Sequence, residues 1–315
     1  MKIEIISSGP LSTVQDLGRF GYMQSGFSPG GAMDSYSAKL ANILAGNAQG
    51  EGVIEMTMAG ITARFDCEAV IALTGADMCP AINNEPVDMY KSILVKSGDI
   101  LSMKSASKGM RAYLAVAGGF DIDPVMGSVS TNLKCSVGGF EGRKLKAGDC
   151  IPLRISADFK AIGSRSIEPC NNYSTSVTVR AVAGPQDDYF CDEETDKFFS
   201  SEYKASSKSD RMGIRLEGEK INSINGVDIV SDGIVTGSVQ IPSSGQPIVM
   251  MADRQTTGGY AKIATVITPD LKYLAQLQPG NTVRFVRVSQ REAEKINIKE
   301  QKYFKNLEYR LLFAK

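Results

Sequence analysis

The chain has 315 residues, 43% hydrophobic and 22% charged, enough to bury one large core or two ordinary ones, and two domains are expected. Thirty-five basic side chains balance thirty-five acidic ones, so no net field draws the protein to nucleic acid or to an anionic membrane surface. Histidine is absent, which excludes Ser-His-Asp and Cys-His nucleophiles, His-ligated metals and a His general base, and leaves acid-base work to Asp, Glu, Lys, Tyr or Cys.

In chain order, the start alternates charged and apolar residues from Met1 to Ile6 and then turns, which does not read as a signal peptide or an anchor. The longest apolar runs, 113–117 and 247–252, are strand-sized against the ~20 residues of a membrane span, so a cytoplasmic protein is expected. Asp34 is placed to cap a helix over 35–45, with Tyr36, Leu40 and Leu44 on one face and Gly46-Asn47 as the stop. Short runs rich in Val, Ile and Thr follow at 53–58, 69–74 and 110–116, then at 177–182, 248–252 and 283–288. Their spacing predicts a mainly β protein, barrel or sandwich, with few helices. Tight turns at 97–99, 147–149 and 279–281 each feed a strand. The stretch 156–175 loses periodicity and is the candidate linker. A short helix is predicted at 193–200. The tail from 290 to 312 carries Ile296, Phe304, Leu307 and Leu311 as a stripe, read as a packing helix with a partner-binding helix as the alternative. Six cysteines, at 67, 79, 135, 150, 170 and 191, show no Cys-x-x-Cys pair, and no metal site is predicted.

No phosphate-binding loop and no dinucleotide fingerprint is present. Met103-Lys104-Ser105 lacks the second methionine of a biotin-carrier hairpin, so no biotin is expected on this chain. Four Gly-bracketed segments instead concentrate polar residues beyond what barrel strands need. The first holds Gln15, Asp16 and Arg19 and runs on to Asp34, the glycines otherwise reading as turns in a long capped loop. The second is an apolar strand from Arg111 to Gly118-Gly119, followed by Ser128 and Ser130, whose hydroxyls line a Gly-opened loop. In the third, Asp210 and Arg211 precede an alternating strand; neighbours on a strand face opposite sides, so both serve one pocket only from a turn or bulge. The fourth passes from Gln240 to Asp253, Arg254, Gln255, Thr256, Thr257, Gly258, Gly259, Tyr260 and Lys262. An apolar strand there is expected to deliver Asp253 and Arg254 into a Thr-Thr-Gly-Gly turn, where amides, hydroxyls and a guanidinium converge on an anionic or carbonyl oxygen. A hairpin turn with incidental charges is the alternative.

Together, Thr13 to Arg19, Ser28 to Asp34, Arg111 to Gly119, Ser209 to Gly213 and Ala252 to Tyr260 resemble, in order, the family of biotin-dependent carboxyltransferase A/B-domain proteins. That family takes in the C subunits of bacterial 5-oxoprolinases, the Kip antagonist and allophanate hydrolase subunit 2-like proteins. The resemblance implies two cyclophilin-like β-barrel domains, over 1–160 and 175–290, with a helical tail over 291–315. It implies work in a complex, with a partner bearing the complementary C/D domains, like the B subunit of 5-oxoprolinase, and a third component like the A subunit of that enzyme. The implied activity is ATP-dependent opening of 5-oxoproline to L-glutamate, with ATP and magnesium used at the level of the complex. Carboxyl transfer from carboxybiotin to urea or a related amide, and a binding role antagonising a kinase inhibitor, are the alternatives. Within this frame Asp253, Arg254, Lys262, Asp210 and Arg211 are the candidate catalytic residues. Gln15, Asp16, Arg19, Ser128, Ser130 and the 255–260 segment are the candidate substrate contacts, and Asp253 to Lys262 are expected to line a cleft with Gln15, Asp16 and Arg19.

Overall fold

A computed structural model describes residues 1–154, 162, 165–169, 173–224 and 226–313, the last two by backbone alone. The chain forms two units: Met1–Phe20, Gly30–Tyr173 and Lys305–Lys315 make the first, Gly21–Pro29 and Ser174–Phe304 the second.

The first unit is built on two antiparallel sheets. One has the order Cys150–Pro152, Lys2–Ser7, Thr62–Phe65, Ile100–Ser102, Ala81–Ile82, Glu85–Pro86; the other runs Leu11–Gln15, Val53–Thr57, Lys108–Val116, Ala69–Asp77, Ser92–Val95. In Lys2–Ser7 the period of two leaves Lys2 and Ile6 in water and sends Ile3 and Ile5 inward. These residues join Ala63, Phe65 and Leu101 of their own sheet, and Val14, Ile54, Ile71 and Leu114 of the other, in one core. Ala69–Asp77 and Lys108–Val116 are buried along almost their whole length. The reason is helix α1, Ser35–Ala45, which packs against both strands and covers their second face.

Asp34 caps α1 through Ser37 N at 3.0 Å, and Gly46, at φ 83°, ends it in the left-handed conformation that glycine adopts without a Cβ penalty. A buried polar knot fixes where the helix begins. The Tyr113 hydroxyl donates to Glu55 Oε2 at 2.8 Å and accepts from Asp34 N at 2.8 Å, and Glu55 Oε2 also accepts from Met33 N at 2.7 Å. Burial, then the charge of Glu55, holds the Tyr113 phenol well above its ordinary value, so it stays a neutral donor.

The second unit is a closed barrel in the order Ser176–Ala183, Lys262–Val266, Ser238–Gln240, Ile248–Met250, Gly213–Glu217, Glu202–Ala205, Thr282–Arg287. Its ladders are antiparallel except the closing one, where Ser176–Ala183 runs parallel to Thr282–Arg287. Helix α2, Asp192–Ser200, inserts fully buried Phe198, whose ring stacks on Phe285 at 4.6 Å and lies 5.8 Å from Tyr203. Outside the barrel, Asp228–Gly233 and Thr257–Tyr260 pair as a two-stranded ribbon. Helix α3, Leu271–Ala275, is short; α4, Gln290–Phe313, belongs to the second unit through Phe304 and to the first from Lys305. On α4 Phe304 and Leu307 are buried, and Ile296 and Leu311 are half-buried, the predicted stripe.

The mainly β architecture with few helices is thus the one the strand spacing predicts, and α1 has the predicted bounds. Two expectations need correction. Within the candidate linker, Ser92 N donates to Arg165 O at 2.8 Å and Ile167 N to Tyr90 O at 3.1 Å, so 165–167 are paired backbone; the rest of 155–164 and 170–172, with Cys170, lies largely outside the described residues. The strand expected over 248–252 ends at Met250, and the expected Thr-Thr-Gly-Gly turn is itself the strand Thr257–Tyr260. The chain reverses earlier, at Ala252-Asp253. Thr257 and Tyr260 suit an extended backbone, and the glycines between them let neighbours approach closely. Among the described residues, Cys67, Cys79, Cys135, Cys150 and Cys191 are free thiols, and no helix is long and apolar enough to cross a membrane.

Candidate functional site

In the first unit the strand Leu11–Gln15 ends by placing Gln15 and Asp16 beside the loop 125–131. Asp16 accepts from Gly18 N at 2.7 Å, Val129 N at 2.8 Å, Ser128 Oγ at 2.8 Å and, by a shorter contact, Ser130 Oγ. Ser130 Oγ in turn accepts from Asp16 N, and Ser128 Oγ from Ser130 N. Asp16, Ser128 and Ser130 therefore spend their hydrogen bonds on one another. Arg19, 1% exposed, donates through Nε to Val125 O at 2.9 Å and through Nη2 to Ser130 O at 3.0 Å. Gln15 Nε2 donates to Thr13 Oγ1 and Thr131 O. What remains is one buried acceptor, Gln15 Oε1, and one buried donor, Arg19 Nη1, each without a partner. Gly138 is required here, since a Cβ on it would lie 2.2 Å from Ser130 O and 2.6 Å from Arg19 Nη2.

In the second unit residues 207–212 form the turn that lets Asp210 and Arg211 act from one region. They do different things. Exposed Asp210 accepts from Met212 N at 2.8 Å and Gly213 N at 3.1 Å, shaping its own turn. Arg211 is buried and grips Asp253 at two points, Nε to Oδ2 at 2.8 Å and Nη2 to Oδ1 at 2.9 Å. This planar fork also fixes the reversal from which Arg254 emerges.

Arg254 is 4% exposed; its Nε donates to Ile234 O at 3.0 Å, and its Nη1 is buried without a partner. Burial lowers the guanidinium from its ordinary value. Gln240, 5% exposed, likewise holds Nε2 buried without a partner. Lys262 stands directly across the ladder from Gln240, so the two side chains share a face. Its ammonium, on a side chain 2% exposed, donates to Asp232 Oδ2 at 2.9 Å. Asp232 lies on the ribbon opposite Gly258, and the hydrogen bond from Lys262 lowers its carboxyl from the ordinary value. Gly258 ties the cluster together: a Cβ there would lie 2.6 Å from Ile234 Cδ1 and 2.9 Å from Gln240 Nε2.

Gln255, Thr257 and Tyr260 are exposed, Thr256, Gly258 and Gly259 partly so, and all lead into or form the ribbon. Ile234 N donates to Thr256 O at 3.0 Å, locking Ile234 beside Arg254. The two clusters lie in different units. Sequence reasoning did not single out Gln240, Asp232 and Ile234 as site residues. A glutamine inside the apolar run Val239-Gln240-Ile241 was the available signal for the first; the other two come from an element whose pairing only the fold reveals.

Buried nitrogen donors outnumber acceptors in the second cluster, and without histidine the chemistry on offer is the holding of oxygen atoms that carry or gain negative charge. Two β units, one of them a closed barrel, set the class of fold. Residues 25–287 match the carboxyltransferase domain, subdomains A and B, and the chain belongs to that family. It is 40% identical over 311 residues to the 5-oxoprolinase C subunit of Escherichia coli (strain K12), covering 98% of both chains. It is 39% identical over 301 residues to the protein of the same name from Haemophilus influenzae, covering 96% of both. Among solved structures, the Kluyveromyces lactis urea carboxylase matches with a TM-score of 0.89 and 30% identity over 97% of this chain, which spans only 29% of that protein.

Proposed function

We propose that this chain serves as the C subunit of a multi-subunit 5-oxoprolinase, which opens 5-oxoproline to L-glutamate at the expense of ATP. The observation that carries the reading is match in length: the two 5-oxoprolinase subunits are covered end to end at about 40% identity. The urea carboxylase likeness, by contrast, covers under a third of that protein. Opening the lactam adds one water across the amide bond and builds negative charge on the carbonyl oxygen on the way. Preorganised N–H donors in a site closed to water stabilise such charge, and Arg254, Gln240 and Lys262 supply them here. Asp253 holds the frame through Arg211, and without histidine proton transfer falls to a carboxylate.

On this reading the chain works with a C/D-domain partner and a third subunit, in the cytoplasm, with ATP and magnesium used by the complex and no biotin on this chain. A second reading, carboxyl transfer to urea or a related amide, draws support from the TM-score of 0.89 to the urea carboxylase. Both use the same donors for an oxyanion.

The test is reconstitution. Glutamate formed from 5-oxoproline and ATP is measured with and without this chain, and the product expected is glutamate only when the chain is present. Arg254→Ala in the complex is predicted to lower turnover about a hundredfold or more, the usual cost of one preorganised donor, at a temperature where its melting curve shows it folded. Full glutamate formation without the chain, or urea-dependent loss of carboxybiotin in its place, rejects the reading.

A further inference from the structure

Two ion pairs of the second unit contrast with a third. Arg211 with Asp253, and Arg180 with Asp270, are two-point forks whose carboxylates are largely buried, the Asp270 side chain being 1% exposed. Such pairs are part of the scaffold. Lys262 with Asp232 is different. The lysine is buried in the barrel, but its carboxylate partner takes it through one oxygen, accepts from its neighbour Gly233 N at 2.7 Å through the other, is 53% exposed, and sits on a strand, Asp228–Gly233, exposed at five of its six positions. Among the described residues, the Gln186 amide, at 3.4 Å, also reaches that Asp232 oxygen.

Around this loose pair the donors are in excess. Lys262 Nζ, Arg254 Nη1 and Gln240 Nε2 have between them one described acceptor, and the last two N–H groups are buried with none. A buried donor left without a partner costs on the order of 1–3 kcal/mol, so two of them, Gln240 Nε2 at the Gly258 clearing and Arg254 Nη1 on the guanidinium bonded to Ile234 O, mark an absent acceptor. A carboxylate fits: it is planar, singly charged and able to accept about four hydrogen bonds through two oxygens.

We infer that the barrel of the second unit holds a carboxylate subsite in which Asp232 stands as a displaceable substitute for the ligand's own carboxylate. In the resting chain Asp232 neutralises Lys262. A ligand carboxylate takes its place on Lys262 and gives Gln240 Nε2 and Arg254 Nη1 their acceptors, and Asp232 swings out to water with the ribbon. That the occupant is the carboxylate formed from the lactam carbonyl as 5-oxoproline opens, held by the donors that took its oxygen as charge built, rests on the proposed function; the displacement itself does not.

The experiment measures binding to the full chain by calorimetry. The probes are 5-oxoproline, cyclopentanecarboxylate, which has a carboxylate but no lactam, and 5-oxoprolinamide, which has the lactam but no carboxylate. Both carboxylates are expected to bind and the amide to bind at least tenfold more weakly. Asp232→Asn is the decisive variant. It removes the internal competitor, so the fraction of chains able to accept a ligand rises, and both carboxylates are expected to bind about tenfold tighter. Gln240→Leu keeps the side chain's bulk, removes a buried unpaired amide, and is expected to weaken carboxylate binding about tenfold with no fall in melting temperature. The inference is overturned if neither carboxylate binds, if acid and amide bind alike, or if Asp232→Asn leaves binding unchanged or weaker, the last being the result for a cluster that holds only ordered water. Glutamate formation by the complex together with any of these results sinks the subsite and spares the proposed function. Tighter carboxylate binding by Asp232→Asn, with a complex of the unaltered chain that makes no glutamate, does the reverse.

Discussion

Tyr203 shows how a single buried group writes a pH dependence into the barrel. Its side chain is fully buried among Phe198 and Phe285, and among the described residues its hydroxyl has no partner at good hydrogen-bond geometry. Ser201 acts on it from nearby, but the Ser201 hydroxyl itself donates to Lys197 O at 2.6 Å. Burial is the main reason that the phenol is pushed up to about 12, and the charges of Glu219 and Glu194 add to it. An unfolded tyrosine titrates near 10. The folded value is the higher one, so the contribution to stability is whole below about pH 10 and is lost as pH rises toward 12. Tyr203→Phe is predicted to flatten that alkaline loss in melting curves taken between pH 9 and 12, with stability at neutral pH equal or higher. A variant that melts lower at pH 7 would show a partner for the hydroxyl after all. At this scale the sequence speaks clearly for some residues and is silent for others. Asp253, Arg254 and Lys262 stand out because charges bracketed by glycines and apolar strands need a reason. Gln240 and Asp232 do not, because what makes them matter is the register that sets Gln240 against Lys262 and Asp232 against Gly258, and register between distant strands leaves no local trace.

Among the elements, α1 is the best specified. Its sequence carries the cap, the apolar face and the glycine stop, and local rules suffice because each acts within a turn or two. Asp34→Ala removes acceptors for both Ser37 N and the Ser37 hydroxyl. It is predicted to cost about 1–2 kcal/mol, read as a lower urea midpoint with an unchanged slope. No change in midpoint would mean that the Tyr113 and Glu55 knot alone sets the start of α1. The strands in the buried middle of the first unit were legible as apolar runs for the same local reason. The Thr257–Tyr260 strand was not. Two adjacent glycines ordinarily signal a turn, and only the partner strand Asp228–Gly233, itself too polar to read as a strand, makes that backbone extended. The paired backbone at 165–167 escaped notice likewise, since its bonds to Tyr90 and Ser92 are made by peptide groups and owe nothing to side-chain pattern.

In the whole molecule the chain passes from the first unit to the second at Gly21, back at Gly30, across again at Ser174, and back once more at Lys305. The segment 174–304 is therefore not a domain that can be cut out whole, because 21–29 belong with it. The last passage gives a direct test. Leu307 is fully buried and lies on the part of α4 assigned to the first unit. Leu307→Ala is predicted to cost about 2–5 kcal/mol, and hydrogen exchange should show the loss in amides of the first unit; protection loss confined to 174–304 would contradict the assignment. The same arrangement also has a meaning in time. A ribosome delivers a chain from its N-terminus and domains generally fold as they emerge, yet the first unit made is finished by residues translated after the barrel. Its nascent form must wait, unfinished, through the synthesis of the entire barrel, so the slower-maturing of the two units is the one whose synthesis begins first.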